Sequence, residues 1–135
     1  FDRMRHYLGL SLFLVPLAAA SVLAGNAAQA RALAARALDL ARNGHRCGEA
    51  GARYVLAEAD VREGEPASAL KHYAEALDLA LTRGMRPLAA SCHHGAGEAY
   101  RRLGDETNAR DSLGLAAALH LELGMVNATE PAGQA

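Results

Sequence analysis

The residues best equipped for chemistry are Cys92, His93 and His94, which stand in a row, with His45 and Cys47 upstream. Thiolates and imidazoles are zinc ligands, and a Cys–His pair is the heart of a nucleophilic site. Consecutive side chains on a helix point about 100° apart, so Cys92, His93 and His94 cannot close together on one ion. A closed zinc site needs four well-placed ligands, and no complete set is apparent. A nucleophilic cysteine needs a group that orients its histidine and donors for an oxyanion, and neither accompanies the pair. The bland alternative puts His93 at a packing position and His94 on an inner face. No catalytic residue, metal or cofactor is therefore expected. The Gly-x-x-x-x-Gly-Lys-Ser/Thr phosphate loop is absent from the sequence.

Arg101 and Arg102, with Arg86 and Arg110, form a second candidate, a basic patch for an acidic peptide. Such charges more often make a solvated helix face. The formal net charge of −1 gives no reason to expect a nucleic-acid partner. Two cysteines make no disulfide framework, which favours a reduced, cytoplasmic compartment.

The elements that would position these groups are helices. The chain is 51% hydrophobic but only 4% aromatic, without tryptophan, so alanine and leucine must do the packing. Both are strong helix formers, and alanine lets backbones approach closely. Three segments begin at Gly25, Gly64 and Gly104, with 39 and 40 residues between successive glycines, and each then runs helical. The first two segments are identical at nine of 17 positions, including Ala30/Ala69, Ala37/Ala76 and Leu40/Leu79. The third keeps Gly104, Ala109, Ala116 and Leu119. A steady period of this kind marks a repeat architecture. The spacing predicts three helix pairs over 8–43, 47–83 and 87–123, within a helical region 1–125. Each glycine lies at the turn inside a pair, and Pro66 and Pro87 lie near helix starts. Residues 126–135 have no apolar period and read as a flexible tail.

The small residues Ala57 and Gly97 in first helices, set against Ala69 and Ala109 in second helices, with Tyr100 before the turn, resemble the tetratricopeptide pattern. That resemblance implies an all-α stack of helical hairpins in a right-handed superhelix, an α-solenoid. The period exceeds the usual 34 residues of that class. The extra residues are expected between pairs, as in Thr82-Arg83-Gly84-Met85-Arg86-Pro87. Residues 84–125 resemble the C-terminal repeats of bacterial signalling ATPases that are often joined to adenylate or guanylate cyclase domains. This implies a regulatory interaction tail without catalytic residues, and the opening on Phe1 fits a piece of a longer protein. Binding is expected on the first helices, with Tyr54, Glu58, Val61 and Arg62 in the second pair. In the third pair the candidates are Ser91, His94, Glu98, Arg101 and Arg102. The corresponding slots of the first pair are Leu12, Val15, Ala19, Val22 and Leu23. The groove is thus apolar at one end and charged at the other, suiting a protein or peptide with an apolar anchor and a charged flank.

Residues 8–24 carry no charge. Such a run imitates the core of a secretory signal within residues 4–30, followed by small residues, which would make the chain a small secreted or periplasmic repeat protein. Its place in the first-helix slot instead argues for a buried helix. A membrane span is not expected, since the run is short and contains Pro16. If it is a terminal helix, its apolar faces predict self-association.

Overall fold

The computed structural model describes residues 15–44 and 46–124, and these are helical throughout, with no strand among them. Helix α1 covers residues 15–23. The others are α2 (Ala27–Arg42), α3 (Glu49–Arg62), α4 (Pro66–Thr82), α5 (Arg86–Arg102) and α6 (Glu106–Glu122), and a short 3-10 turn (Arg46–Gly48) leads into α3. The expected helices therefore form nearly where the spacing places them. The stretch 8–14, His45, the side chain of Cys47 and the tail 126–135 lie outside the described residues.

The expected extra residues between pairs are present at the first junction, where 43–48 separate α2 from α3, but not at the second, over 82–87. Helices α4, α5 and α6 are 17 residues each, and the link after α4 is no longer than those after α3 and α5. From Gly64 to Gly104 the surplus over 34 residues is carried by helix length, whereas from Gly25 to Gly64 the longer junction 43–48 carries part of it. Four of the five links between the described helices use the same device. At Gly64, φ is +79°, a left-handed conformation that a side chain would strain. Its N–H donates to the Val61 carbonyl at 3.1 Å, and the Glu65 N–H donates to the Asp60 carbonyl at 2.8 Å. This pair of bonds is the Schellman motif, which satisfies carbonyls that a helix end leaves orphaned. The same two bonds recur at Gly25, Gly84 and Gly104. At two links the residue after the glycine also caps the next helix: Asn26 accepts from the Gln29 N–H at 3.0 Å and Asp105 from the Asn108 N–H at 3.2 Å, whereas Glu65 and Met85 make no such bond. Glycines 44, 84 and 124 share the positive φ of 25, 64 and 104; the junction at Gly84 matches those within pairs, whereas after Gly44 the 3-10 turn precedes α3.

The core is built mainly of alanine. Buried positions fall in one register on successive second helices: Ala30, Ala34, Ala37 and Ala41 on α2; Ala69, Tyr73, Ala76 and Ala80 on α4; Ala109 and Ala116 on α6. The three- and four-residue spacing lays them along one stripe. Among the largest fully buried side chains are only Val55 and Cys92. Small side chains bring the helix axes together, so the polar groups between helices sit close to one another. Each helix packs on the next in the chain, and α3 also touches α5.

Glycine makes two of these approaches possible. A Cβ on Gly97 would lie 2.6 Å from Leu113 Cγ and 3.3 Å from the Ala109 carbonyl oxygen. The expected crossing of Gly97 with Ala109 is therefore present, with Leu113 seated in the same gap. A Cβ on Gly95 would lie 2.3 Å from Tyr73 Cζ. Gly95 is thus the space through which the Tyr73 ring passes. Ala57 and Ala69 meet with Tyr73 in the core of the second pair.

Two polar networks bridge the helices. Asp60, only 3% exposed, accepts from Ser68 Oγ at 2.8 Å and His72 Nδ1 at 2.8 Å, and pairs with the Arg31 guanidinium. Arg31 also donates to Glu63 at 2.5 Å. Burial works to raise the Asp60 pKa, but the hydrogen bonds from Arg31, Ser68 and His72 outweigh it and hold the carboxyl below its ordinary range. On another face Glu49 accepts from Arg83 at 2.6 Å, and Arg53 donates to Glu75 at 3.0 Å, joining α3 to α4.

Candidate functional site

Helices α3 and α5 lie side by side and leave a cleft of about 290 Å3 between them. Six of the expected groove residues line it: Glu58, Val61 and Arg62 from α3, and His94, Glu98 and Arg102 from α5. They fall together because each set recurs at helical spacing on one face, and the two helices present those faces to the same space.

Two further residues complete the cleft, Tyr73 and Gly95. Tyr73 belongs to α4, a second helix. Its hydroxyl reaches the floor only because Gly95 has no side chain, and there it donates to Glu58 Oε1 at 2.7 Å. Burial and the adjoining Glu58 charge push the Tyr73 pKa up, so its hydroxyl stays protonated and a donor. The signal for this in the sequence is the Gly-Ala-Gly run inside α5. Glycine weakens a helix interior, so two of them there point to a close approach.

The remaining candidates lie around the cleft. Tyr54 packs its ring against Tyr73, with centroids 5.8 Å apart and planes inclined at 58°. Burial, then the nearby Glu58 charge, push its pKa up as well. Ser91 turns its hydroxyl back to the Pro87 carbonyl at 3.2 Å. Arg101 stays outside and pairs with Glu98 at 3.3 Å. The four-arginine patch is not assembled as a free surface, because Arg86 is engaged by Glu122 and Arg101 by Glu98. The arginines that enter the cleft are Arg62 and Arg102, and neither has a carboxylate partner among the described residues.

In the first pair the expected groove slots are mostly spent on packing. Val22 is buried, while Val15 and Ala19 pack against the core made by Ala18, Ala30, Ala34 and Val55. Only Leu23 of the described slots is exposed, and Leu12 lies outside the described residues.

No protein-family model matches the chain, and no curated protein matches it.

The Cys92–His93–His94 run is split as the helix requires. Cys92 is buried, and burial followed by the Glu58 charge pushes its thiol up to about 12. Such a thiol is protonated at neutral pH and unreactive. His93 is half-buried, and burial lowers its pKa. His94 is exposed and lines the cleft. Among the described residues no three His, Cys, Asp or Glu side chains come together as a metal site, and no helix is long and apolar enough to cross a membrane.

Proposed function

We propose that this chain is a non-catalytic interaction module that binds a protein or peptide segment in the cleft between α3 and α5. The observation that carries the reading is the convergence of Glu58, Val61, Arg62, His94, Glu98 and Arg102 on one open cleft. Val61 offers the apolar contact, and Arg62 with Arg102 offers uncommitted positive charge. A segment with a short apolar residue beside an acidic flank fits that pairing. The tetratricopeptide-like reading, a right-handed stack with the first helices on its inner side, draws support from the close approach of the α3 and α5 backbones, which those of α2 and α4, and of α4 and α6, do not make. A role as a regulatory tail of a larger bacterial signalling protein, acting in the cytoplasm, follows from the resemblance of residues 84–125. The packing of Ala18 and Val22 with α2 and α3 favours residues 15–23 as part of the fold over a secretory leader.

Selection from a displayed random peptide library tests the reading. Enriched peptides are expected to bind the parent and to lose binding to Arg102→Glu and to His94→Glu, both at exposed positions, with both variants retaining the parent's melting point. Peptides that bind these folded variants as well as the parent would refute it.

A further inference from the structure

On another side of α5, a second hollow of about 210 Å3 lies among α4, α5 and α6. Its walls are chiefly Leu70, Leu77, Leu115, Ala74 and Ala96. Leu115 is 53% exposed and forms part of the rim. Three residues with hydrogen-bonding side chains also line it: His93, Tyr100 and Ser112. None of these side chains makes a hydrogen bond to another described residue. No Asp, Glu, Lys or Arg lines the hollow.

An apolar concavity with a few convergent polar groups is the usual form of a small-molecule site. The volume exceeds the roughly 150 Å3 that suffices for benzene in an engineered cavity. We propose that this hollow is a binding site for a small, uncharged, single-ring aromatic compound bearing one hydroxyl or amide group. The ring lies against the leucine and alanine wall, and the polar group bonds to His93, Tyr100 or Ser112. Neutrality of the ligand follows from the lining. A charge placed there would lose water and meet no counter-charge. The two titratable groups nearest to changing this are held uncharged by burial: the Cys92 thiol, pushed up to about 12, and the His93 imidazole, shifted down. The site is separate from the peptide cleft, and Tyr73 is the one residue that lines both.

Benzamide, benzoate and toluene test this on the intact chain by ligand-observed NMR titration. The three share a ring and differ in charge and hydrogen-bonding capacity. Benzamide is expected to bind with a dissociation constant on the order of a millimolar, within the range for so small a ligand. Toluene should bind several-fold more weakly, because it forfeits a hydrogen bond, and benzoate more than about tenfold more weakly, because it must shed water around its charge. Ala74→Trp places a large side chain at the hollow from an exposed position and should abolish benzamide binding without lowering the melting point. Benzoate equal to benzamide, binding that survives Ala74→Trp, or no binding of benzamide at tens of millimolar would each overturn the proposal.

Discussion

Replacing Asp60 by alanine removes the acceptor on which donors from α2 and α4 converge. Breaking a buried ion pair by removing one partner costs about 3–5 kcal/mol, because the other charge is stranded. Here the stranded Arg31 side chain is 35% exposed and keeps Glu63 as a partner. Exposed pairs contribute only about 0–1 kcal/mol, so that part of the cost is discounted. Ser68, at the exposed start of α4, can turn to water, whereas His72 is only 23% exposed. The expected loss is about 2–4 kcal/mol, which for a domain of this size lowers the melting point by roughly 10–20 °C. Asp60→Asn retains one acceptor and should lose about half as much. The pH dependence has a definite sign. The folded-state pKa of Asp60 lies below its unfolded value, so its stabilisation is present above the unfolded pKa of about 3.9 and fades as pH falls through the lower folded value. The parent should therefore lose stability on acidification below about pH 4 more steeply than Asp60→Asn. Thermal melts followed by circular dichroism measure both effects. A melting point for Asp60→Ala within about 3 °C of the parent would show that the buried carboxylate contributes nothing net.

Gly97→Leu should destabilise by about 1–3 kcal/mol, since its side chain must enter the space held by Leu113 and the Ala109 carbonyl; urea titration shows it. Gly84→Ala and Gly114→Ala should have opposite signs. The first strains a left-handed turn at φ +70° and destabilises, while the second adds a methyl in open space within α6 and gains up to about 1 kcal/mol of helix propensity. Cys92 should resist alkylation at neutral pH until denaturant is added, as peptide mapping after iodoacetamide treatment would reveal. The exposed Leu17 and Leu23 of α1 should support self-association at tens of micromolar, and sedimentation should show Leu17→Glu with Leu23→Glu to be less associated than the parent.

The helices were readable because their signals are local. Prolines mark starts, glycines mark ends, and alanines at three- and four-residue spacing mark the buried stripe. The Gly97–Ala109 crossing was readable for the same reason, since only small residues at matching positions permit it. Asp60 was not singled out, because a carboxylate near the end of α3 looks like surface charge until Ser68 and His72, one turn apart on α4, are seen to face it. Tyr73 is a core residue by burial, yet its hydroxyl emerges in the cleft through the gap at Gly95. That depends on the relative placement of three helices, which no single-helix pattern encodes. The apolar slots of α1 misled for a similar reason. Composition shows that a face is apolar, whereas only packing shows that Val22 is covered by α2 and α3.

The most direct test of the central claim is to map where a library-selected peptide sits. Amide chemical shifts should be recorded for the isotopically labelled chain with and without it. Binding in the cleft predicts the largest changes at Glu58, Val61 and Arg62 on α3 and at His94, Glu98 and Arg102 on α5, with α2 and the outer face of α6 unmoved. Changes confined to α2, α4 or α6 would contradict it.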